Sequence, residues 1–184
     1  NTYDLILHGA AEDGVSDIVK TMKYEEELDL SKHVLTKPGY TFAGWTTEKD
    51  GTIPEFAPED VVKELSVGDA VHLYPVWSND SYFILFNSNG GSGSLKTITT
   101  KYDLDVKLPK CTMSKKHYSF AGWSLSSTGE VQYKDEATVK NLATEGTVTL
   151  YAKWIEDSYK INFAGNSVGE TVPSSITMKY SEAK

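Results

Sequence analysis

Arginine is missing from this 184-residue sequence. All 18 positive residues are lysines, set against 26 acids for a net charge of −8. Bidentate recognition of phosphate or guanine relies heavily on arginine, and phosphate affinity needs a positive surface, so nucleic acid is not expected as a partner. Cysteine is nearly absent as well. The lone Cys111 excludes an intrachain disulfide and a cysteine-rich zinc site, and reads as an inert thiol. No run of about 18 apolar residues occurs, so direct membrane insertion is not expected. There is no initiating Met, signal peptide or anchor signal. The chain reads as a segment of a longer protein that does not report its own targeting.

Catalytic patterns are scarce too. No G-x-S-x-G supplies a nucleophile on a strained turn, and Gly91-Ser92-Gly93-Ser94 reads as a flexible turn. Gly90-Gly91-Ser92-Gly93 is no phosphate loop, because no Gly-Lys-Ser/Thr opens a helix after it. The four histidines, His8, His33, His72 and His117, contain no pair at ligand spacing. Glu12, Asp13 and Asp17 lack the D-x-D-x-D-G ladder of a calcium loop and read as a solvated acidic turn. Glu25-Glu26-Glu27 with Asp29 reads as a solvated face, or as a patch that repels an anionic envelope. Neither an enzyme, a cofactor nor a metal is expected.

What the chain does contain is repetition. With 39% apolar and 11% aromatic residues it can bury one ordinary core or two small ones. Phe-Ala-Gly-Trp occurs at 42–45 and again at 120–123, within Gly39–Trp45 and His117–Trp123. Tyr24, Tyr102 and Tyr180 are spaced by the same 78 residues. Leu73-Tyr74-Pro75-Val76-Trp77 corresponds to Leu150-Tyr151-Ala152-Lys153-Trp154 at an offset of 77, so a one-residue length change falls between Gly51 and Phe56. The strand-like openings match as well: Tyr3–Leu7, Tyr82–Phe86 and Tyr159–Phe163. Three segments follow: repeat 1 at 1–80, repeat 2 at 81–157, and the first two strands of a truncated third repeat at 158–184. Acids are concentrated in repeat 1, where sixteen face six lysines, whereas repeat 2 holds eight against nine.

Each repeat reads as α+β, about four strands and one short helix. Period-two alternation opens it, a Gly/Ser/Asn turn follows, and a second strand ends at the shared tyrosine. Leu28 and Leu30, matched by Val106 and Leu108, continue inward-facing positions. The FAGW segment is a third strand, with Tyr40, Phe42 and Gly44 on one face and Ala43 and Trp45 on the other. Residues 58–65, and more weakly 135–142, read as the helix. Val71–Trp77 and Val148–Trp154 close each repeat. Pro75 strains that pattern, because proline wants an edge or a bulge. All four tryptophans fall at equivalent positions, which favours packing over a recognition platform. Gly44 and Gly122 are expected to admit a neighbouring backbone or ring beside the Trp.

At these residues the sequence resembles the Listeria–Bacteroides repeat, or internalin B-type repeat, found in tandem on bacterial surface proteins. Repeat 2 carries its pattern as Phe86-Asn87-Ser88-Asn89-Gly90-Gly91, then Tyr118, Phe120, Gly122 and Trp123, then Leu150, Tyr151 and Trp154. Repeat 1 carries Tyr40, Phe42, Gly44 and Trp45, then Leu73, Tyr74 and Trp77. Two loops depart: repeat 1 has His8–Gly14 in place of the Asn-Gly-Gly turn, and repeat 2 has Lys116-His117 in place of Pro38-Gly39. The resemblance implies a β-grasp-like unit, an extracellular, cell-wall-attached setting and no catalytic residues. The expected role is a spacer, stalk or adhesive repeat that meets a protein or surface polymer. The alternative is a host-receptor or glycan-binding module whose contacts lie where the repeats differ: the acidic loops of repeat 1, or Lys115-Lys116-His117. Residues 158–184, a marginal hairpin by themselves, are expected to find a partner in repeat 2, in another chain or in a swapped copy, and so to offer a route to self-association.

Overall fold

A computed structural model describes residues 1–9, 14–165, 169 and 171–182. Glu12 and Asp13 of the acidic turn lie outside the described residues. The chain divides into two compact units. The first takes in 1–81 together with 101–103 and 143–145, and the second takes in 82–100, 104–142 and 146–184.

The first unit begins with β1 (Thr2–Leu7), in which Tyr3, Leu5 and Leu7 are buried and Thr2 and Asp4 are exposed. Antiparallel β2 (Ile18–Lys23) lies on one side of it and parallel β6 (Val71–Asn79) on the other, with β4 (Tyr40–Thr46) antiparallel beyond β6. The sheet order is β2-β1-β6-β4. The second unit repeats it as β10-β12-β7-β8, from β7 (Ser81–Asn87), β8 (Ile98–Lys101), β10 (Tyr118–Ser124) and β12 (Gly146–Glu156). Residues 158–184 contribute a two-stranded sheet, β13 (Ser158–Ile161) with β14 (Ile176–Lys179).

The expected α+β class with a helix in each repeat is wrong. Among the described residues the fold is nearly all β, and its helical turns are the short 3-10 segments Leu30–His33 and Tyr180–Glu182. Residues 58–65 hold β5 (Val61–Val62), which pairs with β3 (Leu28–Asp29). Residues 135–142 hold β11 (Thr138–Val139), which pairs with β9 (Val106–Lys107). Two forces win over the helical pattern. The β-branched pairs are stiff and fit a pleated surface, and Val62 and Val139 are buried by it. Left-handed residues then end any helix: Glu64 at φ 55°, Glu136 at 56° and Asn141 at 54°. Backbone bonds from Leu30 N–H to Asp60 O and from Leu108 N–H to Ala137 O hold these segments extended. With no α-helix among the described residues to lay across these sheets, the β-grasp description fails as well.

The face assignment within FAGW is also corrected. The register between β4 and β6 shifts between Phe42 and Gly44, and β10 shifts against β12 between Phe120 and Gly122. One extra residue resets the period-two phase, so Phe42 and Trp45 meet edge to face with centroids 5.3 Å apart, and Phe120 and Trp123 do so at 4.9 Å.

Pro75 is accommodated without sitting on an edge strand. Pairing with β1 ends at Leu7 and Leu73, followed by the His8 N–H bond to Leu73 O, before Pro75 is reached. Opposite Pro75 lies Trp45, whose N–H goes to Phe56 O and whose carbonyl accepts from Glu55 and Phe56. Trp45 therefore asks nothing of the missing donor. Trp123, opposite Ala152, is bonded the same way to Gln132 and Tyr133.

Candidate functional site

Sheet pairing decides where each signature residue lies. Trp45, Phe42, Leu73, Trp123 and Leu150 are buried. Tyr40, Tyr74, Trp77, Tyr118, Phe120, Tyr151 and Trp154 are partly covered. Phe42 is flanked by Trp45 and Trp77, and Phe120 by Trp123 and Trp154. The indole N–H of Trp45 and of Trp123 is buried with no hydrogen-bond partner among the described residues. Such a group costs about 1–3 kcal/mol, so both rings are held for their volume and not for a polar contact. Gly44 and Gly122 have φ of 133° and 142°, and a Cβ on them would lie 2.2 Å from Phe56 O and 2.5 Å from Tyr133 O.

The places where the repeats differ look otherwise. Parallel pairing sets Ile6 beside His72 and Leu7 beside Leu73, which carries His8 to the same end of the sheet. His8 Nε2 lies 2.9 Å from His72 Nδ1, and His8 Nδ1 lies 2.9 Å from an Asp17 oxygen. The other Asp17 oxygen accepts the Gly9 N–H. That bond first, and His8 second, hold the Asp17 carboxyl below its ordinary value. Tyr74 stacks on His8 with centroids 4.3 Å apart. A cleft of about 570 Å³ opens here, lined by His8, Asp17, Lys37, Lys49, Tyr74 and Trp77, among others. The facing atoms of His8, His72 and Asp17 bond one another, and among the described residues no cluster is arranged to hold a metal ion. Sequence spacing gave no sign of this trio, because its members are 9 and 64 positions apart. The knowledge that first and last strands pair in parallel would have found it.

Repeat 2 spends the same corner on structure. Asn87 stands at the place of His8 and Thr149 at that of His72. Asn87 Oδ1 accepts the Asn89 N–H, and Asn89 Nδ2 donates to Ser127 O and Ala152 O. Trp154 Nε1 donates to Ser88 O at 2.9 Å. At the second divergent loop, His117 takes a left-handed φ of 63° where Gly39 has 79°, and Lys115 lies over the Tyr118 ring as Lys37 lies over Tyr40. Cys111 is partly covered, and burial pushes its thiol up, away from thiolate chemistry.

With this geometry in place, comparison with known proteins decides the family. The family model for the Listeria-Bacteroides repeat domain matches residues 10–67 and again 82–153. The chain belongs to that family. It is 30% identical over 98% of its length to a protein of Evansella cellulosilytica described as a Gly-rich membrane protein, and covers 20% of that protein. It is 33% identical over 66% of its length to internalin H of Listeria monocytogenes, again covering 20% of that protein. The chain thus spans about a fifth of the length of these curated relatives. No solved structure matches it. Among the described residues, no helix is long and apolar enough to cross a membrane.

Proposed function

We propose that this chain is a non-catalytic repeat segment of a bacterial surface protein, serving outside the cell as a spacer or adhesive module that meets a protein or surface polymer. One observation carries this reading: the twice-used aromatic and glycine motif is spent on cores. Trp45 and Trp123 are 1% and 0% exposed, and the indole N–H of each is buried. Names among the relatives, an internalin and membrane proteins, agree with a surface setting. The unpaired outer edges of the β13–β14 hairpin supply the route to self-association, which light scattering with and without residues 158–184 would measure.

A second reading is favoured by the cleft at His8, Tyr74 and Trp77, where His8 is held by His72 and repeat 2 has Asn87 and Thr149 in place of the two histidines. In it, repeat 1 carries a host-receptor or glycan site. An array of glycans and host proteins separates the two readings. Binding lost in the His8→Asn/His72→Thr chain, which installs the residues of repeat 2, supports the specific site. Binding that survives both substitutions, or no binding, supports the spacer.

A further inference from the structure

Three turns in this chain are built alike, and two of them are seated. In the first compact unit, Tyr102 packs on Gly39 so closely that a Cβ there would lie 2.4 Å from its ring. The Tyr102 N–H donates to Asp80 O, and its carbonyl accepts from Asn79. Asp80 is pinned in turn: its N–H donates to Gly39 O and its carboxylate accepts from the Thr41 hydroxyl at 2.6 Å. Tyr40 OH donates to Asp103, next to the turn tyrosine. In the second compact unit, Tyr180 stacks on His117 at 3.9 Å, Asp157 N–H donates to His117 O, and the Asp157 carboxylate accepts from Ser119 at 2.6 Å. Glycine and histidine therefore solve one task in two ways: one lets the tyrosine onto bare backbone, the other offers it a ring.

The third turn has the same construction. Tyr24 N–H donates to Asn1 O as Tyr102 N–H does to Asp80 O, and Lys23 N–H donates to Glu26 as Lys179 N–H does to Glu182. Asn1 stands where Asp80 stands, with a side-chain oxygen able to accept a hydroxyl. Yet among the described residues Tyr24 makes no ring contact, and an opening of about 870 Å³ lies beside it, lined by Asn1, Thr2, Lys23, Tyr24, Glu25 and Glu26.

We infer that the Asn1–Tyr24–Glu26 face is a docking surface for a further repeat of this family joined in line ahead of Asn1, which presents the corner that Lys37–Thr41 and Lys115–Ser119 form. In-line attachment is required because the seat in both occupied cases includes the residue that enters the first strand. Charge agrees: the corner carries Lys37 in one copy and Lys115-Lys116 in the other, and the turn carries Glu25-Glu26-Glu27. Glu26 and Glu27 already meet Lys20 and Lys63, so a lysine corner would share these two acids and add to the charge met by Glu25.

The test uses the 184-residue chain and the same chain with residues 81–156 joined directly ahead of Asn1, so that Asn1 takes the place of Asp157. Tyr24→Ala should leave the melting of the shorter chain unchanged and lower that of the longer one by about 4 °C. Tyr102→Ala should lower both. Independently, nitration by tetranitromethane, read by mass spectrometry, should modify Tyr24 in the shorter chain and spare it in the longer. Equal effects of Tyr24→Ala in the two chains, or equal nitration, would overturn the inference. So would a concentration-dependent dimer of the shorter chain that Tyr24→Ala abolishes, because the occupant would then be a second copy.

Discussion

Repeat 1 and repeat 2 share their interior and differ at their corners. Both bulge at the glycine of FAGW, both satisfy the main chain of the following Trp with a loop ten residues on, and both flank a Phe with two indoles. At the end of the first strand they part. Repeat 1 places His8, Asp17 and His72 in contact beside a cleft, whereas repeat 2 ties Asn87, Ser88 and Asn89 into a turn closed by Trp154. A core tolerates little change in volume or phase, while a corner exposed to solvent can be rebuilt without cost to the sheet. Sameness therefore marks scaffold here, and difference marks the corners that the sheet leaves free to vary.

The strongest way to break this comparison is to strike the shared bulge. Gly44→Ala would force a Cβ onto Phe56 O in a backbone conformation that suits glycine, and should cost about 3 kcal/mol or more. Gly122→Ala should do the same against Tyr133 O. Urea melts followed by circular dichroism check both, and a chain that tolerates either alanine would show that the bulge is not needed. Removing an indole is a blow of the same size: Trp45→Ala or Trp123→Ala should each cost about 3–5 kcal/mol in the same melts.

The tandem organisation was legible because Tyr, Gly and Trp recur at fixed offsets, and the first strand was legible because Tyr3, Leu5 and Leu7 alternate with polar neighbours. The helix was misread because Pro58–Leu65 mixes charged and apolar residues at a spacing that suits either state, and pairing of Val61-Val62 with Leu28-Asp29 across a long loop settled it. The bulge was invisible because nothing local distinguishes an extra residue in a strand from an ordinary one, although Gly44 was the available hint. The His8–His72 contact is set by a parallel pairing of strands at opposite ends of the repeat, which no short pattern encodes.

Smaller effects sharpen the contrast at the corners. Trp154→Phe deletes the bond to Ser88 O and should cost repeat 2 about 1 kcal/mol, measurable as a shift in its urea midpoint. Gly39→Ala should clash with the Tyr102 ring, whereas His117→Gly loses a stacked ring but relieves a left-handed histidine. The first should lower the melting temperature, and the second should change the stability by no more than about 1 kcal/mol. Acid should act on both repeats. Asp17 is held down by Gly9 N–H, Glu26 by Lys23 N–H, Asp29 and Glu156 by Ser31 and Ser181, and Glu55 by Thr47. With folded values below the ordinary 3.8 and 4.5, these carboxylates stabilise the fold above that range and stop doing so as the pH falls from it through their lower folded values. Melting temperature should hold above pH 5 and drop below about 4.

Acrylamide quenching of tryptophan emission tests the central claim most directly, in a chain carrying Trp77→Phe and Trp154→Phe so that Trp45 and Trp123 alone report. Emission should be blue-shifted and nearly insensitive to acrylamide until the chain unfolds. Red-shifted emission, quenched in the folded chain as readily as in urea, would place these indoles on the surface and contradict the claim that the repeated motif is scaffold.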